Sequence, residues 1–323
     1  MHRKYLIIVV FFVLMSLVAL GASLIFIDKQ NELNVRGKYT FNNSKDDVQK
    51  ISLIKINTYE NGEINIYYKD GVWKFKEAAD YFINPQMLAN FYNMINNSII
   101  IDVNKVDDNT LKEKNLLSYK EAENGIGQGV EIQTIDEKGN ILDDFIIGNK
   151  TDKPEHYFVR KANTNYMYNV SSIRGFSGLA QAWIPYPLLS VENFMIEALV
   201  IDRKYIDREL LDKVSTNSEF IKAILRSLNF LEYDGITTRG DFFEAYPKAR
   251  YHQLKVITVL GLVYVFDIYK VDDNYWLKLT LETTKIPDKD VIPFVENNQK
   301  YFEDWMFQMD ASQGDILYNT KLR

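Results

Sequence analysis

The hydrophobic and polar positions divide the chain into a short apolar segment at the N-terminus and a much longer amphipathic body. Residues 5–27 form an apolar run without a charged residue. As a helix this run would extend about 35 Å, more than the ~30 Å hydrocarbon core of a bilayer. The pattern therefore predicts a transmembrane anchor over residues 5–27, preceded by a cytoplasmic N-terminus at residues 1–4.

The flanks of this segment predict its orientation. Residues 2–4 are basic, whereas Asp28 and Lys29 nearly cancel after the run. Basic flanks stay on the cytoplasmic side, so we expect a single-pass protein of the inner (cytoplasmic) membrane with an extracytoplasmic, periplasmic body at 28–323. A cleaved signal peptide is the alternative, but the apolar run continues past the small residues Ala19 and Gly21, which favours an uncleaved anchor.

The body begins with a linker and a first set of strands. Residues 28–47 are polar and lack periodicity, which predicts a linker. Apolar positions over 51–56, 64–68 and 72–75 predict three strands, and Asp70-Gly71 between the last two is typical of a hairpin turn.

A helix and a second set of strands follow. Asn84 is a suitable N-cap, Pro85 suits the first helical position, and the apolar residues from Met87 to Ile95 share one face. Short turns between the next strands indicate an antiparallel meander. These strands are predicted at 130–135, 141–147, 156–160 and 166–170.

The second half repeats this plan. Asn217 can cap a helix whose apolar residues follow those of the first helix at an offset of 133 positions. Strands are predicted again at 254–259, 262–269 and 275–281. We therefore predict an α+β protein with two related modules, each a helix packed on an antiparallel β meander, at residues 48–202 and 203–323.

Composition narrows the classes of function. The 323 residues are 46% hydrophobic and 14% aromatic, which excludes a largely disordered chain. Without Arg3 and Lys4, 36 basic and 44 acidic residues remain, and their formal charge of −8 disfavours nucleic-acid binding. There is no cysteine, so disulfides, thiolate metal sites and cysteine nucleophiles are excluded.

The body shows no catalytic, cofactor or metal motif, so we expect a protein that is not an enzyme. The glycine cluster at 125–129 lacks the strand-to-helix context of a phosphate-binding loop, which favours a flexible loop. His156 and His252 have no second ligand at metal spacing, and Ser177 lacks the glycine pattern of a nucleophile elbow. Four pairs of adjacent aspartates are interpreted as solvated surface: Asp46-Asp47, Asp107-Asp108, Asp143-Asp144 and Asp272-Asp273.

Aromatic residues supply the remaining candidate, an interaction surface of Trp183, Tyr186 and Trp305. Trp and Tyr are frequent at interfaces, so the segment around Trp183 and Tyr186 could be an exposed docking element. The alternative, which we favour, is a segment that covers the core and joins the two modules. For Trp305 a packed strand is the preferred interpretation.

The body resembles the bacterial family DUF4340, a domain of unknown function. The resemblance covers residues 48–205 best and depends on the strand-turn-strand that ends at 69–75, the helix from Asn84, the strands at 145–148, 157–160 and 167–170, and the Trp-containing strand at 305–307. Where members often have a Gly-Leu-x-x-Pro turn, this chain has Asn115-Leu116-Leu117-Ser118-Tyr119. The family implies a membrane-anchored extracytoplasmic protein, often an auxiliary component of ABC-type transport systems, and it assigns no catalytic residues.

Three functional hypotheses follow from these observations. The first is a non-enzymatic accessory protein that presents its modules to a transporter or another envelope protein. The second is an extracytoplasmic hydrolase that uses two carboxylates roughly 5–9 Å apart. The third is a small-molecule binding protein with aromatic residues between the modules.

Overall fold

The computed structural model describes residues 34–41, 48–201 and 203–319. The predicted cytoplasmic N-terminus, the predicted anchor at 5–27 and the Asp46-Asp47 pair lie outside the described residues. No helix within the described ranges is long and apolar enough to cross a membrane.

Strands dominate the described residues, with shorter helices between them. The strands are β1 (Ile51–Thr58), β2 (Gly62–Lys69), β3 (Val72–Phe75), β4 (Tyr81–Phe82), β5 (Ile99–Lys105), β6 (Val130–Asp136), β7 (Ile141–Lys150), β8 (Tyr157–Lys161), β9 (Tyr166–Ser171), β10 (Ile196–Ile201), β11 (Lys204–Asp207), β12 (Tyr233–Thr238), β13 (Tyr251–Thr258), β14 (Leu262–Val271), β15 (Asn274–Thr283) and β16 (Trp305–Met309). The α-helices are α1 (Pro85–Asn97), α2 (Asp108–Glu113), α3 (Arg208–Asn217), α4 (Glu219–Asn229), α5 (Arg239–Ala245), α6 (Val291–Asn298) and α7 (Ala311–Tyr318). The protein is therefore α+β, as predicted.

The chain forms two compact units whose boundary differs from the predicted one. The first unit contains the described residues up to Asn65 together with Gln86–Leu179, and the second contains Ile66–Pro85 and the residues from Ala180 onward. The chain passes between the two units at 65/66, 85/86 and 179/180, whereas the sequence predicts a single boundary at 202/203. Aromatic packing gives the physical reason for placing Ile66–Pro85 with the second unit, because Tyr81 is buried against Trp305 at 5.2 Å between ring centroids.

The first unit is built on an antiparallel meander, as predicted. Its strands lie in the order β2-β1-β6-β7-β8-β9-β5. Helix α1 begins at Pro85, as the sequence indicates, and buries Met87, Phe91, Met94 and Ile95. These apolar residues recur at helical spacing, so one face of α1 is removed from water.

Part of the predicted linker packs against the first unit. Thr40 donates a backbone hydrogen bond to Ser98 (2.9 Å), and Gly37 donates one to Ile100 (2.8 Å). Phe41 is buried, and its ring centroid lies 4.3 Å from that of Phe145. The described part of the 28–47 segment, residues 34–41, is therefore attached along β5, because burial of the Phe41 ring outweighs the polar character of its neighbours.

The second unit contains a seven-stranded antiparallel sheet in the order β11-β10-β13-β14-β15-β16-β12. Its core includes Phe266, Leu277 and Phe307 from the sheet and Ile224 and Leu228 from α4. The prediction that Asn217 caps this helix is wrong by one residue. Asn217 ends α3, and the Ser218 hydroxyl caps α4 by accepting a hydrogen bond from the Ile221 amide (3.4 Å).

The strand order of the second unit repeats that of the first. In the first unit β1 and β2 are followed, after β3 and β4, by α1, the edge strand β5, α2 and the strands β6 to β9. In the second unit β10 and β11 are followed by α3 and α4, the edge strand β12, α5 and the strands β13 to β16, with α6 before β16. The edge strand is β5 in the first unit and β12 in the second, and each pairs with the last strand of its meander, β9 or β16.

Candidate functional site

Exposed apolar side chains gather at one end of the second unit's sheet, where β13 turns into β14. Val259 and Leu260 in this turn are half exposed. Ile286, in the segment after β15, is 91% exposed, and Phe294 on α6 is 43% exposed. Phe194 is 69% exposed in the turn that precedes β10. The three segments meet because Ile196 pairs with Thr258, and Leu262 pairs with Thr283, at the same end of the sheet.

The β13–β14 turn is fixed by its own residues. The Thr258 hydroxyl accepts a hydrogen bond from the Leu262 amide (3.0 Å) and donates one to the Leu262 carbonyl (3.0 Å). Gly261 has φ +83°, which L-residues with side chains rarely adopt. The Leu260 carbonyl accepts a hydrogen bond from the Asp288 amide (2.9 Å), so the segment after β15 is held across the turn.

The other wall comes from the turn before β10. The Val259 amide donates to the Met195 carbonyl (2.9 Å). Nη1 of Arg208, at the start of α3, donates to the carbonyls of Asn193 (2.8 Å) and Ile196 (3.1 Å). A charged donor that bonds two carbonyls holds this wall in place more firmly than backbone pairing alone.

These segments enclose a groove of about 570 Å³ within the second unit. Its floor is buried and mostly apolar, and the exposed side chains of Leu260 and Phe294 stand at its rim. The groove is lined by Ser190, Val191, Glu192, Met195, Thr258, Leu260, Leu262, Tyr264, Asp288, Asp290, Val291 and Phe294. A concave apolar site with a few polar groups is the usual form of a binding site.

The polar groups of the groove are mainly acidic. Glu192, Asp288 and Asp290 line it, whereas Lys285 and Lys289 belong to the same segment but are not part of the lining. One oxygen of Asp288 accepts a hydrogen bond from the Asp290 amide (3.1 Å), which stabilises the turn into α6. Burial raises the pKa of the Tyr264 phenol, so this group is a neutral hydroxyl at ordinary pH.

The structure separates the three residues of the predicted interaction surface. Trp183 is fully buried and Trp305 is 9% exposed, so neither tryptophan can form an exposed surface. Trp305 lies in β16, as the packed-strand interpretation expects, and Trp183 and Tyr186 belong to the second unit. Tyr186 is 49% exposed, and its hydroxyl donates to Glu232, which raises the pKa of Tyr186 to about 12.

The remaining sequence candidates are distributed as follows. His156 Nδ1 lies 3.3 Å from the Asn169 amide oxygen, and the Ser177 hydroxyl accepts a hydrogen bond from the Leu179 amide (3.2 Å). Among the described residues, no group of three His, Asp or Glu side chains is placed to hold a metal ion.

The surface interpretation of Asp143-Asp144 is wrong for Asp143. This residue lies in the middle of β7 and is 8% exposed, and its amide donates to the buried Thr134 hydroxyl (3.1 Å). Asp144 points to the other face of the strand, where it accepts a hydrogen bond from Gln133 (2.9 Å). Gln133 on β6 thus supplies a donor for one carboxylate oxygen of Asp144, which lowers the cost of placing this carboxylate within the sheet.

The groove itself was not predicted from the sequence. Two signals were present, since Val259-Leu260 is an apolar pair in a turn and Ile286 and Ile292 flank a charged run at 288–290. Turn residues are normally polar, so apolar residues at two such sites could have indicated a binding surface.

Comparisons with known proteins give no further guide. No protein-family model matches the chain, and no curated protein and no solved structure matches it. Membership of DUF4340 therefore stays a prediction from the sequence.

Proposed function

We propose that the protein is a membrane-anchored, extracytoplasmic accessory protein that binds a partner in the cell envelope through the groove of the second unit. The apolar run at 5–27 and its basic flank support the anchor and the orientation. The resemblance to DUF4340 supports a role as an auxiliary component of an ABC-type transport system. The repeated strand order supports the inference that the two units are related modules.

The observation that carries the proposal is the apolar rim of the groove. Leu260 and Phe294 are exposed in the lining of the groove. Phe194 and Ile286 are exposed in the segments that supply its walls. Exposed apolar residues that cluster in this way mark interaction sites more often than isolated ones do, because each costs free energy in water until it is covered.

Charge defines the chemistry of the partner segment. Three carboxylates line the groove, and no salt bridge joins them to a cation within the described residues. A complementary partner therefore presents apolar side chains flanked by lysine or arginine. Buried apolar anchors supply most of the affinity at such a site, and the opposite charges fix orientation and speed association.

Site-specific photo-cross-linking in native membranes tests this proposal. A photoreactive amino acid replaces Phe294 in the full-length chain, and a matched variant carries it at Tyr251, which is also exposed but lies at the opposite end of β13. We expect a discrete cross-linked membrane protein from position 294 only, identified by mass spectrometry as a transporter subunit.

A second variant tests whether the adduct depends on the apolar rim of the groove. Leu260→Ser in the same cross-linking chain should reduce the adduct at least fivefold without unfolding the protein, since Leu260 is half exposed. Cross-links of equal pattern from positions 294 and 251, or an adduct that Leu260→Ser leaves unchanged, would contradict the proposal.

The three carboxylates also favour a second candidate, a groove that binds or hydrolyses a small molecule. Asp290→Asn and Glu192→Gln would then abolish binding or turnover of a cationic envelope fragment while leaving the cross-link at position 294 intact. Loss of the cross-link together with any such binding would instead indicate one shared site.

A further inference from the structure

A second concave site lies within the first unit and is distinct from the groove. It is a cleft of about 380 Å³, formed by the β1–β2 turn, the loop before β6, the end of β7 and the segment after β9. Its lining residues are Thr58, Tyr59, Glu60, Asn115, Gly125, Gln128, Gly129, Val130, Ile147, Gly148, Asn149, Gly178 and Leu179. One wall thus contains part of the glycine cluster at 125–129, which was predicted to be a flexible loop.

Glycines bring the walls of this cleft together. A Cβ atom on Gly129 would lie 2.3 Å from the Asn115 carbonyl oxygen, and one on Gly148 would lie 2.3 Å from the Lys114 carbonyl oxygen. Real side chains do not tolerate such distances. The loop around Asn115 therefore packs directly on the backbone of β6 and β7, which is a use of glycine for close approach.

An ion pair holds the same loop from behind. Arg160 on β8 is almost fully buried, and its Nη1 donates to the Leu116 carbonyl (3.1 Å) and to Glu121 Oε2 (2.6 Å). Nη2 donates to the other Glu121 oxygen (2.9 Å). This bidentate pair fixes both ends of the loop, so the cleft wall is preorganised before any ligand arrives.

The polar groups of the cleft are side-chain amides. Asn115 Nδ2 donates to Asn149 Oδ1 (2.8 Å), and Asn149 Nδ2 donates to the Glu113 carbonyl (3.1 Å). The side-chain oxygen of Asn115, Oδ1, takes part in neither of these hydrogen bonds. Gln128 Nε2 is shielded from solvent and has no hydrogen-bond partner among the described residues. A buried unpaired donor costs free energy, and a ligand acceptor that pairs with it would remove this cost.

Apolar surface stands beside these amides at the rim. Tyr59 is 65% exposed, and its ring lies against Gly125, where a Cβ atom would come within 2.4 Å of the ring carbons. Leu179 is 46% exposed. An exposed ring held flat by a glycine offers a face on which the apolar side of a ligand can lie.

We infer that this cleft binds a neutral, hydroxyl-rich ligand of the sugar class. Amide groups both donate and accept, which matches hydroxyls that do the same, and the Tyr59 ring suits the C–H face of a sugar ring. An anion would meet Glu60, the single charged lining residue, and no cation. A purely apolar ligand would leave the Gln128 Nε2 donor unpaired.

Saturation-transfer NMR on the full-length chain in lipid nanodiscs tests this inference. The probes are D-glucose and N-acetyl-D-glucosamine, with inorganic phosphate followed by its ³¹P line width as the charged comparison. We expect saturation transfer to a neutral sugar and no broadening of phosphate. A tetramer of N-acetyl-D-glucosamine that binds more tightly than the monomer identifies a glycan as the source of the ligand.

Three variants assign the signal to the cleft. Tyr59→Ala and Gln128→Leu should each reduce the saturation transfer at least fivefold, whereas Tyr119→Ala should leave it unchanged because Tyr119 is comparably exposed but not in the lining. Thermal unfolding confirms that each variant is folded. Absence of transfer to either sugar, transfer that survives both cleft variants, or equal binding of phosphate would overturn the inference.

Discussion

Glu121 and Arg160 form an ion pair in which the two partners differ in exposure. The guanidinium is buried, whereas the carboxylate is 39% exposed. The hydrogen bonds from Arg160 are the main reason that the pKa of Glu121 falls to about 2. The charged carboxylate is therefore favoured in the folded state, and the pair should contribute to stability wherever Glu121 is ionised.

This pair predicts a pH-dependent effect of Glu121→Gln. Because the folded pKa is depressed, the contribution is complete above the ordinary pKa near 4.5 and is lost as the pH falls towards about 2. At pH 7 the variant should lose about 1–3 kcal/mol of unfolding free energy, since buried Arg160 keeps only a neutral acceptor. Denaturant titrations at pH 7 and pH 3 should show the difference from wild type shrinking at the lower pH.

The control is Glu219→Gln, which removes a carboxylate 2.7 Å from Lys222 on the surface of α4. Exposed pairs of this kind contribute little, so no measurable change is expected at either pH. A deficit in Glu121→Gln that does not diminish between pH 7 and pH 3 would refute the electrostatic explanation.

At the scale of single elements, the β13–β14 turn depends on Gly261 for two separate reasons. Its φ of +83° disfavours a side chain, and a Cβ atom would lie 2.8 Å from Pro287 Cα. Gly261→Ala should therefore lower the free energy of unfolding by more than about 2 kcal/mol, of which backbone strain accounts for roughly 1–2 kcal/mol. Denaturant unfolding of the full chain measures this loss.

Gly139 in the β6–β7 turn provides the matched comparison. It has φ +84° but open space around the position of a Cβ atom. Gly139→Ala should lose only the cost of backbone strain, about 1–2 kcal/mol. Equal losses of unfolding free energy in the two variants would mean that the close contact between Gly261 and Pro287 adds nothing to the cost of Gly261→Ala.

Most elements follow from local sequence signals. Asp70-Gly71 correctly predicts the β2–β3 turn, where both residues have positive φ, and Pro85 correctly predicts the start of α1. The short helices α5 and α7 were not predicted. Each buries one large apolar side chain, Phe242 in α5 and Leu317 in α7, so neither gives a long periodic pattern. Trp183 shows a limit of local sequence signals, since nothing in the neighbouring residues distinguishes a buried tryptophan from an exposed one.

The groove and the cleft could not be predicted from local sequence patterns either, because each is formed by segments that are distant in the sequence. Leu260, Asp288 and Met195 come together only through strand pairing between distant segments. Gln128 and Tyr59 likewise line one cleft only because the loop that contains Gly125 approaches the Tyr59 ring. Sequence patterns report on the faces of single elements, whereas both sites form where turns from several elements meet.

At the scale of the whole molecule, the two units share a polar feature as well as a strand order. Gln133 donates to Asp144 (2.9 Å) across β6 and β7, and Gln253 donates to Asp267 (2.8 Å) across β13 and β14. These strand pairs occupy the same place in the two orders. The second pair differs in having Lys278 Nζ at 3.5 Å from Asp267.

This difference predicts unequal effects of the same substitution. Gln133→Leu leaves Asp144 without its donor and should cost about 2 kcal/mol of unfolding free energy, whereas Gln253→Leu leaves Asp267 paired with Lys278 and should cost about 1 kcal/mol. Thermal and denaturant unfolding of both variants measure the two costs.

Removal of the lysine supplies the control. Lys278→Met combined with Gln253→Leu should lower stability by more than the two single changes added together, because only the double variant strips Asp267 of every donor. Additive losses, or a larger cost for Gln253→Leu than for Gln133→Leu, would show that the lysine does not compensate.

The attachment of residues 37–41 along β5 has a consequence for where the protein can work. If the membrane segment ends at Ile27, ten residue steps separate it from Gly37, and a fully extended chain of that length spans roughly 35 Å. Residue 37, at the edge of the first unit, then lies no farther than that length from the bilayer surface. A short linker of this kind raises the effective concentration of membrane-embedded partners for the first unit. Targets far from the bilayer surface would be out of its reach.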